Sequence, residues 1–343
     1  VTMPWRRVIR VGGGLAVLGA LAWQVRPHAA VAALAAVDLR AVVAALGIGL
    51  ATTVLCAWRW RVVAAAVGVP LPMRVAVADY YRAVFLNAVL PAGVLGDVHR
   101  AACHGRESGA YGPAARAVVL ERVAGQAVLL VVGATVLLVL PFSLAQLTSS
   151  ALPALALGAT AVAVLTFLVL SLVRSPVRHL EWWGRARHQT RVALADARVA
   201  LFGRRTGPIV LFLSVAAIGG HVALFLVAAG VATPRTPASF VLPIAVLALV
   251  AMSIPVNVAG WGPREAAAVL AFGAVGLAPE LGFATAVTYG ALAFVASLPG
   301  LGVLLFRRVL TRNRGCDTQR GEVAGEGPDQ VSQHEAALVG RGE

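Results

Sequence analysis

The pattern Pro-x4-Gly-x3-Arg occurs twice in this chain, from Pro91 to Arg100 and again from Pro255 to Arg264. Each copy carries an acid beside its arginine, Asp97 in the first and Glu265 in the second. Each is also rich in helix breakers: Pro91, Gly93 and Gly96, then Pro255, Gly260, Gly262 and Pro263. In hydrocarbon every backbone N–H and C=O must find a partner inside the protein, so a broken helix at membrane depth is tolerated only where protein walls it in or where it lines a cavity. There, freed N–H groups and the amino end of the next helix favour an anion. Arginine adds a planar fork of donors that grips a phosphate through two parallel bonds. Arg100, Arg122 and Arg264 are therefore the candidates to hold a lipid phosphate or another anionic headgroup. Asp97, Glu121 and Glu265 are the candidates to keep those arginines ordered or to engage a cationic headgroup. Asn87 and Asn257 are suited to satisfying freed backbone or lining the cavity. The plainer reading of either motif is a cytoplasmic loop with turn glycines and an acidic helix cap. Glu121 and Arg122 are neighbours about 100° apart on a helix, so one is expected to turn into the bundle and the other toward the headgroups; their plainer reading is positive-inside anchoring. Two copies in opposite halves of the chain favour the cavity.

The elements that must position these residues are long apolar helices. The chain has 343 residues, a mean hydropathy of +0.83 and only 13% charged residues, which predicts an all-α polytopic membrane protein. At about 20 residues per crossing, spans are expected near 8–25, 41–57, 117–140, 152–173, 208–231, 239–256 and 283–306. In the first of these an apolar stretch from Val11 to Trp23 follows Arg6, Arg7 and Arg10, and it reads as an uncleaved membrane helix rather than a signal peptide, because many spans follow. Residues 75–90 are apolar but interrupted by Asp79, Tyr80, Tyr81 and Arg82, the last three read as interface anchors, and lead into the first break. The cluster Trp58-Arg59-Trp60-Arg61 at the end of the second span also reads as interfacial. Residues 265–277 are short for a span.

The formal net charge is +14, and every basic residue other than histidine is arginine. The arginines gather in connections between apolar runs, which is the positive-inside pattern and not a nucleic-acid surface. The amino terminus, residues 59–116, the connection 174–207 and the tail are expected on the cytoplasmic side, and 26–40, 141–150, 232–238 and 278–282 on the other. This alternation closes only if residues 75–116 enter the membrane and return, as a re-entrant hairpin. The expectation is about eight transmembrane helices with two broken or re-entrant segments. Within 174–207, Trp182-Trp183 suggests either a surface-lying amphipathic helix or a solvated helix with one packed face. Residues 1–308 form the membrane domain, and 309–343 read as a disordered polar tail. Cys56, Cys103 and Cys316 form no CxxC pair, and the histidines lack ligand spacing, so neither a disulfide framework nor a metal site is expected. There is no Walker loop, GxSxG or HExxH, so neither a cofactor nor enzyme activity is expected.

These motifs together resemble the lysylphosphatidylglycerol synthase transmembrane-region family, also called flippase-like domain proteins. The carriers are Arg59-Trp60, then Phe85-x-Asn87-x-x-Leu90-Pro91 leading to Gly96-Asp97-x-x-Arg100, then Glu121-Arg122, and finally Pro255-x4-Gly260-x-Gly262-x-Arg264-Glu265-Ala266. The resemblance runs over about residues 8–308. It departs from the family at Leu95, where a glycine is common, and at Ala259-Gly260, where Gly-Gly is common. Full-length synthases of this kind carry a soluble carboxy-terminal catalytic domain, and only a short polar tail follows residue 308 here. The resemblance thus implies the lipid-translocating half without the aminoacyl-transfer half. It would move an anionic or zwitterionic phospholipid, or a polyprenyl-linked glycolipid, in the cell membrane. The alternative is a non-catalytic subunit that presents lipid to a separate glycosyl- or aminoacyl-transferase.

Overall fold

A computed structural model describes residues 28–90, 94–139, 181–253 and 262–305. Every regular element among the described residues is a helix: α1 His28–Ala35, α2 Leu39–Ala66, α3 Met73–Val89, α4 Leu95–Ser108, α5 Tyr111–Val139, α6 Glu181–Phe202, α7 Thr206–Ala232, α8 Ala238–Met252, α9 Pro263–Ala274 and α10 Pro279–Ser297. Four stretches are long and apolar enough to cross a membrane: Leu39–Ala66, Tyr111–Val136, Thr206–Ala232 and Pro279–Leu305. The protein is an all-α polytopic membrane protein. The expected spans 8–25 and 152–173, and the boundary at residue 308, lie outside the described residues. By internal packing the chain divides into Val1–Gly300 and Leu301–Glu343. In the second unit, residues 301–305 are helical.

Sequence dictates where these helices begin and end. Asp38 caps α2 by accepting from the Ala41 N–H at 2.8 Å. Gly109 ends α4 at φ 68, a left-handed conformation that glycine adopts without a Cβ clash, so α5 starts two residues later. In the first unit, α7 packs against both α2 and α10. Phe225, Ala228, Val241, Ala245, Ala248, Tyr289 and Leu292 share one core, in which alanines let the backbones approach closely. Val43, Leu50, Val131, Leu211 and Phe212 point outward. Such apolar side chains on long helices suit a lipid environment rather than water.

Each motif joins two short helices that pack on each other, α3 with α4 and α8 with α9. Their lengths are 17, 14, 15 and 12 residues. At 1.5 Å rise per residue that is about 18–26 Å, less than the roughly 30 Å hydrocarbon core. Close packing of the first pair depends on Gly96, where an added Cβ would lie 2.1 Å from the Ala83 carbonyl oxygen.

Three sequence expectations need correction. Residues 26–40 are not a plain connection, since the alanine-rich segment forms α1, with Ala30 packed on Phe283 and Val287. The Trp58–Arg61 cluster is not simply interfacial. α2 continues to Ala66, so Arg59 and Trp60 are buried, while Trp58 and Arg61 are exposed. Tyr80, Tyr81 and Arg82 are likewise buried instead of anchoring at a surface, because α3 lies between other helices. Within 174–207, residues 181–202 form α6, which Asp196 ties to Arg116 of α5 at 2.7 Å.

The ends of α7 offer a direct test of sidedness. In a background lacking Cys56, Cys103 and Cys316, Arg204→Cys is expected to react with an impermeant thiol reagent only from the cytoplasmic face. Arg235→Cys is expected to react only from the opposite face, since one membrane-length helix separates the two positions. Labelling of both from one side would overturn the topology.

Candidate functional site

The first motif is assembled into a buried charged group by five helices. Glu121, fully buried, arises from the amino-terminal half of α5 and holds two arginines. Its Oε1 accepts from Arg59 Nη2 at 2.5 Å and from Arg59 Nε at 3.0 Å. Its Oε2 accepts from Arg100 Nη2 at 2.6 Å. The Tyr80 hydroxyl donates to Oε1 at 3.3 Å. Asp97, in the first turn of α4, also holds two arginines: Arg100 Nε at 2.9 Å and Arg122 Nη2 at 2.7 Å. Asn87, at the end of α3, completes the junction. Its Nδ2 donates to Asp97 Oδ2 at 3.3 Å, and its Oδ1 accepts from the Gly96 N–H at 2.8 Å. The amide thus satisfies backbone at the break and fixes the carboxylate in one gesture.

Arg100 is 0% exposed. Its guanidinium lies 4.8 Å from the Trp60 ring centre and 4.5 Å from that of Tyr80, so two aromatic faces flank a desolvated cation. Trp60 is steadied by an edge-on contact with His104 at 5.6 Å, and His104 Nε2 lies 3.0 Å from the Val69 carbonyl oxygen. Arg59 Nη1 donates to Ser214 Oγ of α7 at 3.0 Å. An added Cβ on Gly125 would meet the Arg59 guanidinium at 2.9 Å, so the absence of a side chain there makes room for it.

Three guanidinium groups thus face two carboxylates. Arginine stays protonated at any physiological pH, so the group carries one surplus positive charge. Two buried donors, Arg100 Nη1 and Arg122 Nε, have no hydrogen-bond partner. Glu121 faces fully inward, whereas 41% of the Arg122 side chain remains accessible. Adjacent residues on α5 therefore divide their roles, one as internal counter-ion and the other at the edge.

The second motif forms a hydrogen-bonded group of its own. Gly262 stands at φ 117 before α9, Pro263 opens the helix, and Glu265 Oε2 folds back to accept the Gly262 N–H at 2.7 Å. Arg264 Nε donates to Glu265 Oε1 at 2.9 Å, with Nη2 on the same oxygen. The Arg264 guanidinium lies 5.0 Å from the Tyr289 ring centre, and the Tyr289 hydroxyl meets His221 Nδ1 at 3.3 Å. Pro91, Gly93, Pro255, Asn257 and Gly260 lie outside the described residues.

The structure therefore brings Asn87, Gly96, Asp97, Arg100, Glu121 and Arg122 together, and it joins Gly262, Arg264 and Glu265 to one another. To the first group it adds Arg59, Trp60, Tyr80 and Ser214, and to the second Tyr289 and His221. Arg59 and Tyr80 had a signal in the sequence, a charge or phenol inside an apolar run, but the aromatic neighbours made both read as interfacial. Among the described residues, no group of three or more His, Cys, Asp or Glu side chains is arranged to hold a metal ion.

A known family model, that of the lysylphosphatidylglycerol synthase TM region, matches the chain over residues 7–300. The chain belongs to that family. No curated protein matches it, and neither does any solved structure. As a lysylphosphatidylglycerol synthase TM region, it is a membrane protein of a lipid-related family, and the charged group lies in the part of the chain that the family defines.

Proposed function

We propose that this protein binds the anionic or zwitterionic headgroup of a membrane lipid in the arginine group and moves it between leaflets without covalent chemistry. The amino terminus and tail face the cytoplasm of the cell membrane. The observation that carries the reading is the surplus positive charge with two unpartnered buried donors, Arg100 Nη1 and Arg122 Nε, beside a broken helix. A purely structural ion-pair network would be expected to close its own hydrogen bonds, because an orphan buried donor costs roughly 1–3 kcal/mol. A phosphate supplies both the missing charge and the missing acceptors. The half-accessible Arg122 offers the point where a headgroup arrives, while the acyl chains stay among the outward apolar side chains.

The test uses reconstituted vesicles and leaflet-resolved quenching of a labelled phospholipid. Arg122→Lys and Arg264→Lys keep the charge but lose the planar fork, and each is expected to slow transfer by about tenfold or more. Arg205→Lys, at the exposed start of α7, is expected to leave the rate unchanged. If all three variants transfer lipid at the parental rate, the arginines are structural. If the parent retains lipid but moves none, the presentation of lipid to a separate transferase becomes the better account.

A further inference from the structure

We propose that a lipid phosphate passes between two arginine stations offset along α7, and that Gln126, with the His221–Tyr289 pair that borders the second station, forms a transit site leading to it, suited to a phosphodiester whose headgroup carries a hydrogen-bond donor. This rests on the lipid-moving function proposed above.

Helix α7 touches both charged groups from one face. Ser214 Oγ accepts from Arg59 in the first group. His221, seven residues on, meets the Tyr289 hydroxyl beneath Arg264 in the second. Seven residues are two turns, so the contacts share a face and lie about 10 Å apart along the axis. Helix α5 packs alongside α7 and measures an offset in the same direction. Arg122, Gln126 and Gly133 fall on one face of α5. An added Cβ on Gly133 would lie 2.8 Å from Val250 Cγ2, close to where α8 ends and the second motif begins. Both helices thus place the first station nearer their amino ends and the second deeper.

Between the stations α7 offers only Ala217 and Ile218 on this face, with no polar side-chain atom. A polar atom at the intermediate level comes from α5. Gln126 stands one turn beyond Arg122, and its buried Oε1 has no partner, while Arg122 Nε just above it also has none. An unmatched donor and an unmatched acceptor on successive turns are complementary to one ligand that bears both an anionic oxygen and a donor. A phosphodiester with a hydroxyl or ammonium on its headgroup has both. The phosphate accepts from Arg122 while the headgroup donor reaches Gln126. At the next level the Tyr289 hydroxyl exchanges its His221 partner for a phosphate oxygen, and His221 and Arg264 receive the anion. No bond is made or broken beyond hydrogen bonds.

The experiment measures retention and transfer separately. Retention is the amount of phosphatidylglycerol that co-purifies, read by native mass spectrometry. Transfer is leaflet exchange of acyl-labelled phosphatidylglycerol, or of acyl-labelled phosphatidylmethanol, whose headgroup has no donor. Gln126→Leu and Tyr289→Phe are expected to retain phosphatidylglycerol like the parent and to transfer it about tenfold more slowly or worse. The parent should prefer phosphatidylglycerol to phosphatidylmethanol, and Gln126→Leu should erase that preference. Tyr289→Phe deletes one oxygen from a residue that keeps its packing, so it carries the test if Gln126→Leu does not accumulate. Parental transfer rates in the variants would overturn the transit site and leave the lipid-moving function standing. Equal losses of retention and transfer would also overturn it, by placing these residues in headgroup capture or in folding. A parent no faster than empty vesicles would overturn the lipid-moving function itself, and the transit site with it.

Discussion

Glu121→Gln is expected to destabilise the folded protein by about 3–5 kcal/mol, the cost of leaving buried charges without their counter-ion. One carboxylate is the counter-ion that Arg59 and Arg100 share, and all three side chains are buried, so water cannot replace it. Glutamine has nearly the same shape. It offers one acceptor oxygen where the carboxylate offers two, and it turns an NH2 toward a guanidinium. Domains are commonly stable by about 5–15 kcal/mol, so most of the margin is at stake. The measurement is thermal unfolding of detergent-purified protein, with the yield of monodisperse material as a second readout. Arg122→Gln is the comparison. Arg122 is half-accessible and pairs with Asp97, which retains Arg100, so its loss should cost far less. If Glu121→Gln unfolds at the parental temperature, the carboxylate is not the keystone of the group.

Gly96→Ala is expected to rival that loss by a different route. The new methyl group would lie 2.1 Å from the Ala83 carbonyl oxygen and 2.7 Å from its carbon, both backbone atoms that cannot rotate aside. The hairpin of α3 and α4 must open, at an expected cost of about 3 kcal/mol. Opening it also strains the bond from the Gly96 N–H to Asn87, and through Asn87 the grip on Asp97. Lipid transfer should therefore fall along with stability. Gly219→Ala in α7 is the control, because nothing lies within 4 Å of the added atom. There the better helix propensity of alanine should leave stability unchanged or raise it by up to about 1 kcal/mol. Equal melting temperatures for Gly96→Ala and the parent would show that the hairpin is looser than its geometry implies.

Much of the fold is legible in the sequence because the bilayer imposes a simple demand. Backbone groups must be satisfied within each segment, so a long apolar run becomes a helix almost regardless of its partners. The runs that became α2, α5, α7 and α10, and the breaks after α3 and α8, follow from hydropathy and from proline and glycine alone. The charged residues of the motifs are legible for the same reason, since an ionised side chain inside an apolar stretch is too costly to be incidental.

Which charges meet is another matter. Asp97 and Arg100 are three residues apart on one helix, so their pairing is local and visible in the spacing. Glu121 and Arg59 are 62 residues apart on different helices, and nothing in either segment specifies the other. Arg59 sits between two tryptophans, a setting that reads as a membrane interface. Only the packing of α5 against α2, with Gly125 leaving room, turns it inward. Likewise Tyr289 and His221 are separated by 68 residues and become partners only because α10 lies along α7. The sequence by itself determined the helices, the breaks and the kinds of charge they carry, because those depend on local hydropathy and backbone chemistry. The tertiary structure alone decided that three arginines share two carboxylates and that Tyr289 lies against Arg264, because those outcomes depend on which helix faces which.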